Sequence, residues 1–229
     1  MPSSIFVTIN TKSLTMSLLS SLKHGLKSSS ICLPYLPQLL RGNVFLLLRR
    51  KHPRLLFMEP HALIQGYSYI TIGSYARLKR FCRITAYSGG AITIESRFTL
   101  GDYSVVENSY RKGAMAGSIF IGSNVAIGAF SFVSCPSNIS IGDDCIIGQY
   151  FSAHAQNHNY NGKGLIRLQG TSESGIKIES NCWIGSKVTI LDGVSIGNSS
   201  VIAAGSVVTR SFPPRSVLAG CPARIIKSL

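Results

Sequence analysis

The chain has 229 residues, enough for one large domain or one domain with a small appendage. Its 45% hydrophobic content excludes a disordered chain, and 22 glycines point to many tight turns. The formal net charge of +14 suits phosphorylated cofactors, anionic glycans or an anionic membrane surface. No nucleic-acid-binding motif accompanies the charge, so nucleic acid is not expected as a partner.

Residues 1–65 read as a segment of their own. Ser17 to Lys27 and Leu39 to Arg50 have the pattern of short helices with a basic edge, separated by Pro34 and Pro37. Phe45-Leu46-Leu47-Leu48 runs straight into Arg49-Arg50-Lys51, far short of the roughly 20 apolar residues of a membrane span. Met1 to Asn10 lacks a basic stretch followed by an apolar one, so no secretory signal is expected. The expected role of residues 1–65 is a cap on the domain that follows; attachment to a membrane or a partner is the alternative. Cys32, Cys82, Cys135, Cys145, Cys182 and Cys221 form no Cys-x-x-Cys pair and read as reduced, buried thiols. A cytoplasmic location, with peripheral contact to the inner membrane under the attachment reading, follows as an expectation.

From residue 66 onward the sequence repeats. Aliphatic anchors recur every six positions in triplets: Ile72, Leu78, Ile84; Ile94, Leu100, Val106; Ile121, Ile127, Val133; Ile141, Ile147, Ala153; Ile178, Ile184, Ile190; and Ile196, Ile202, Val208. Glycine often follows the anchor, and four places on sits a second, usually small or β-branched residue, among them Cys82, Cys145 and Cys182. A period of six is neither 3.6 nor 2, so neither a helix nor a plain strand explains it. A short strand and a turn, repeated around a three-sided prism, does. Six triplets make six coils, a column roughly 29 Å tall at about 4.8 Å per coil. Insertions of four, nine, two and nineteen residues all fall between triplets, hence at one corner of the prism. That corner, with loops 107–118 and 154–175, is where chemistry is sought.

The hexad [Ile/Leu/Val]-Gly-x-x-[small]-x resembles the hexapeptide repeat of left-handed β-helix acyltransferases, over residues 66 to 229. The resemblance implies an all-β fold: a single-stranded left-handed parallel β-helix of about six coils at 66–212, after a partly helical N-terminal segment. The stretch Asn157-His158-Asn159-Tyr160, with Gln169-Gly170, Ile176-Lys177-Ile178 and Cys182-Trp183-Ile184-Gly185, resembles the maltose, galactoside and surface-polysaccharide O-acetyltransferase branch. There a histidine eleven residues after an anchor is the general base, which from Ile147 is His158. Many members have Asp-His-x-His at this point, where this chain has Ala155-Gln156-Asn157-His158. His154 matches no family position and reads as structural.

The same resemblance places the oxyanion donor at the backbone around Ser186, and Asn108, Tyr160 and Trp183 near the acceptor. Residues 203–210 and 219–227, with tail 213–229, resemble the family's coenzyme A end. By that match Ser186, Ala204, Thr209 and Arg210 line the pantetheine arm, and Arg224 and Lys227 sit near the phosphates. It implies acetyl-CoA as co-substrate without a metal, a homotrimer with sites between protomers, and a surface glycan or its precursor as acceptor. Other readings on this fold are N-acetylation of an amino sugar, antibiotic modification and a non-enzymatic scaffold. Carbonic anhydrases of the fold need three histidine ligands, and the prism region holds only His154 and His158.

Overall fold

The computed structural model describes residues 35–48, 55–108 and 116–229. The sequence anchors stack as the triplets require, in three parallel sheets that form the faces of a prism. Face A carries Leu78, Leu100, Ile127, Ile147, Ile184 and Ile202 in register. Face B carries Ile84, Val106, Val133, Ala153, Ile190 and Val208. Face C carries Ile72, Ile94, Ile121, Ile141, Ile178 and Ile196. Apart from the partly buried Ile72, every one of these anchors is at most 3% exposed. They form a single continuous core, and their removal from water is the main force holding the column together.

The column is longer at both ends than its clear periodicity indicates. Phe57–Met58 and Leu63–Gln65 pair with Arg77–Leu78 and Arg83–Thr85, so two strands of the presumed cap belong to the prism. Met58 and Ile64 keep the step of six, but Glu59 and Gln65 stand where glycine would mark the hexad. At the other end, Ser216–Gly220 continues face A with Leu218 fully buried, and Ala223–Ser228 folds back on it antiparallel. Residues 213–229 thus form a further rung of the column and a hairpin.

Of the two expected helices, Ser17 to Lys27 lies outside the described residues. The other is α1 (Leu36–Leu48), which packs on Phe57–Met58. A Cβ on Gly42 would come within 2.1 Å of the Leu56 carbonyl oxygen, so only glycine permits this approach. Phe45 and Leu46 lie against the core, and the Arg41 guanidinium donates to the Met58 carbonyl. No helix among the described residues is long and apolar enough to cross a membrane.

The hexad's glycine has a steric cause. The coil above passes so near that a Cβ on Gly101 would lie 2.4 Å from the Ala129 nitrogen. At the corners that follow faces A and C the turn needs a left-handed residue, and side chains as bulky as Tyr103, Phe130 and Tyr150 occupy it at φ 57–58°. Such a conformation costs about 1–2 kcal/mol for a non-glycine residue. At the corner between faces A and B the side chains offset it. His61, Phe81, Tyr103, Phe130 and Tyr150 stack with centroids 4.6–5.2 Å apart and planes within 10° of parallel. Each such contact contributes about 0.5–1.5 kcal/mol.

Gly101→Ala is expected to destabilise the column by about 2 kcal/mol or more, because a backbone atom rather than a flexible side chain is displaced. A thermal melt checks this. An unchanged midpoint would mean that coil spacing at this corner is not sterically limited.

Candidate active site

All long connections leave at the corner between faces B and C. Loop 154–175 leaves face B after Ser152–His154 and returns to face C at Ile176–Ile178. It forms a small antiparallel ribbon in which Asn157 faces Ser172 and His158 faces Thr171. Its returning limb is fixed by Asp192, whose carboxylate accepts from the Ser174 amide at 2.9 Å and the Gly175 amide at 2.8 Å. Glu173 accepts from Gln156 Nε2 at 2.9 Å and Thr171 Oγ1 at 3.0 Å, tying the two limbs together.

Gln169 organises the tip. Its Oε1 accepts from the Gly162 amide at 2.7 Å, and its Nε2 donates to the Gly162 and Gly164 carbonyls, both at 3.2 Å. The Asn159 amide donates to the Gly170 carbonyl at 3.1 Å, and its Nδ2 to the Gln169 carbonyl at 3.2 Å. The result is a cavity of about 730 Å³ lined by His158, Asn159, Tyr160, Asn161, Gln169 and Leu191. His158 is exposed there, and its ring has no hydrogen-bond partner among the described residues. An imidazole of this kind can accept a proton from a molecule in the cavity.

His154 differs from it. Its ring nitrogen lies 2.6 Å from Ser152 Oγ, and the ring packs 5.9 Å from Phe132 on the outer surface of face B. Asn108 is fully buried and its amide is spent on the fold. Nδ2 donates to the carbonyls of Gly117 at 3.1 Å and Tyr87 at 3.3 Å, while Oδ1 accepts from the Tyr87 amide at 2.6 Å. Within this chain it thus clips two corner loops together from inside, as a turn asparagine would.

Of the remaining expected residues, Tyr160 lines the cavity and the others lie away from it. Trp183 projects from face A, 59% exposed, between Ile146 and Val201. Ser186 and Ala204 occupy the corner between faces A and B, directly above the aromatic ladder, and both are exposed. There the rings give way to Lys187 and Gly205, and a Cβ on Gly205 would meet nothing within 4 Å. Thr209 and Arg210 follow the last strand of face B, while Arg224 and Lys227 lie exposed on the terminal hairpin strand. Among the described residues, Arg210, Arg224 and Lys227 make no ion pair. A bare, open corner beside unpaired cations fits an extended amide-bearing arm that ends in phosphates.

Gln169 was legible in the sequence only as part of a resemblance, and Glu173 and Asp192 not at all. All three act through a loop that has no period. An Asp-Gly pair at Asp192-Gly193 is the one signal, and it speaks of a turn rather than of an anchor for the neighbouring loop.

Among the described residues four thiols are buried in the column, whereas Cys221 is exposed, contrary to the expectation of a buried thiol. Burial pushes the thiols of Cys82 and Cys135 up to about 12, and Cys145 and Cys182 are buried core residues as their repeat positions require.

The comparisons agree with this architecture. Residues 175–210 match the model for the bacterial transferase hexapeptide (six repeats), and residues 118–149 that for the hexapeptide repeat of succinyl-transferase. The chain is 37% identical over 115 residues to galactoside O-acetyltransferase of Escherichia coli K12, covering 47% of this chain and 56% of that protein. It thus spans little more than half the length of that relative. It is 30% identical over 161 residues to the putative lipopolysaccharide biosynthesis O-acetyl transferase WbbJ of the same strain, covering 65% of this chain and 80% of that protein. Among solved structures, an N-acyltransferase of Bacillus cereus aligns with a TM-score of 0.50 at 20% identity, over 75% of this chain and 79% of that one, a likeness of fold. Parallel prism, hexad anchors and corner loop define a β-helix of the transferase type. The chain belongs to the hexapeptide-repeat transferase family.

Two measurements check the site. Gln169→Ala is expected to speed proteolytic cleavage within 159–169 severalfold while leaving the thermal midpoint within about 1 °C, since the loop lies outside the core. Among the described cysteines, Cys221 is expected to react with a disulfide reagent at pH 8. Cys82 and Cys135 should stay silent until the chain unfolds, because a buried thiol with a raised pKa holds little thiolate.

Proposed function

We propose that this chain transfers an acetyl group from acetyl-CoA to a sugar hydroxyl of a surface polysaccharide or its precursor, with His158 as general base. The observation that carries this reading is the cavity in which a partnerless imidazole is held by a braced ribbon on a rigid column. The resemblance of both relatives, one named for a galactoside and one for lipopolysaccharide, supports an O-linked sugar acceptor.

Bound acetyl-CoA supplies the acetyl group as a thioester. Neutral His158 takes the proton from the acceptor hydroxyl as its oxygen bonds to the acyl carbon, then returns it to the departing sulfur, so no proton is lost. Tyr160 and the polar tip of the loop orient the acceptor. Ser186 and Ala204 offer backbone to the arm, Thr209 and Arg210 flank it, and Arg224 and Lys227 meet phosphate charge.

We infer that these parts do not meet within one protomer, because they leave the prism at different corners. Ser186 and the His158 ribbon lie at opposite edges of face B, separated by a strand and its turns, on the order of 15 Å. Proton transfer needs hydrogen-bond reach, about 3 Å. We infer that a homotrimer supplies the arm's corner from a neighbouring protomer. The apolar stripe of Ile146, Trp183 and Val201 on face A is a surface suited to that contact.

Purified protein with acetyl-CoA and a panel of sugars and amino sugars tests the reading through thiol release. His158→Ala is expected to lower kcat by about 10²–10⁴-fold while acetyl-CoA still binds. Arg224→Ala with Lys227→Ala should instead weaken acetyl-CoA binding about tenfold or more, and less so at high salt. Full activity in His158→Ala would remove the assigned base. Failure of the wild-type chain to bind acetyl-CoA would favour the scaffold reading.

A further inference from the structure

We propose that the N-terminal end of the column is a docking surface for an anionic lipid bilayer, formed by the outer face of α1 and a neighbouring arginine pocket. One side of α1 is spent on the column through Leu39, Gly42 and Asn43. The other is apolar and exposed: Leu36 at 41%, Leu40 at 38%, Val44 at 42% and Leu48 at 69%. Their spacing of four puts them on one face along the full helix. A soluble surface helix would carry charge there, yet the helix's only ionisable residue is Arg41.

Beside this stripe lies a second feature. A cavity of about 650 Å³ is lined by Ser74, Tyr75, Arg77, Ser96, Arg97 and Thr99. Arg77 sits over the ring of Tyr35, just ahead of α1, at 5.5 Å and over that of Phe57 at 5.7 Å, so the pocket adjoins the helix. Unlike Lys79, Arg80 and Arg83, which pair with Glu59, Asp102 and Glu107, neither Arg77 nor Arg97 has an ion pair among the described residues. Glu95, on the turn leading to Arg97, leaves the pocket's neighbourhood with a net positive charge. Two guanidiniums without ion pairs among the described residues, set among hydroxyls, are a seat for a phosphate-bearing headgroup.

The charge of the chain points to the same occupant. Residues 1–58 hold eight lysines and arginines and no aspartate or glutamate, and four of the eight (Arg49, Arg50, Lys51 and Arg54) follow α1 directly. An apolar stripe on a helix without acidic residues, beside a pocket with two arginines, matches a bilayer interface with negative headgroups, where acyl chains take the stripe and phosphates the arginines. A protein partner of ordinary composition would not require so one-sided a charge. The docking would leave loop 154–175, on a different corner of the prism, free for its acceptor.

Flotation of the full chain with vesicles tests this independently of any acetyl transfer. The protein is expected to float with phosphatidylcholine–phosphatidylglycerol vesicles, to remain below with phosphatidylcholine alone, and to be released by high salt. Arg77→Gln with Arg97→Gln should lower partitioning about fivefold per charge removed. Leu40→Gln with Val44→Gln, both at exposed positions, should lower it at least as much while circular dichroism and the thermal midpoint stay unchanged. Failure of the wild type to float, equal flotation with neutral vesicles, or wild-type flotation by both variants would each overturn the proposal.

Discussion

The constraint on which the rest depends is the rise of about 4.8 Å from one coil to the next. At that spacing every coil must present the same inward atoms as the coils above and below it, or leave a void or a clash. Leu100 sits over Leu78 and under Ile127, and Gly101 must lack a Cβ because the Ala129 amide occupies its place. Residues far apart in sequence are thus bound to a shared period of six. Departures are tolerated only where the chain leaves the stack, at the corner between faces B and C.

That rule converts a structural demand into a functional layout. Loops cannot be inserted at the other two corners without breaking the ladder of left-handed residues, so variation collects on one edge. The longest insertion there is braced from below by Asp192 and from within by Gln169 and Glu173. A rigid column with one ornamented edge can hold a side chain such as His158 in place more firmly than a free loop could. The ladder of rings from His61 to Tyr150 belongs to the same economy, offsetting the strain of left-handed turns in the lower coils. Above Tyr150 the rings stop and the corner is bare at Gly205, where an extended ligand can lie against backbone.

How much could be read in advance follows from this division. The anchors, the three faces and the common exit corner were legible, because a fixed spacing repeats the same evidence eighteen times. Met58 and Ile64 escaped, since their coil keeps the spacing without the glycines, and so did Phe212, which comes only four residues after Val208. Asn108 was legible as a polar residue at the right corner, though not as one whose every polar atom is engaged inside the fold. His158 could be singled out by its place in the insertion and by resemblance. Its supports could not, because hydrogen bonds such as those of Gln169 to Gly162 follow from the loop's own shape and leave no period.

The central claim is that the base and the acyl-donor corner come from different protomers of one assembly. His158→Ala leaves a protomer without its base, and Ala204→Trp fills the corner that would hold the arm. Each alone should be inactive. Co-expression followed by purification of the mixed assembly, then assay of acetyl transfer, measures the claim directly. If sites form between protomers, random mixing restores about one quarter of wild-type activity, since that share of sites pairs an intact base with an intact corner. No recovery from a properly mixed assembly would contradict it and return the whole site to a single chain.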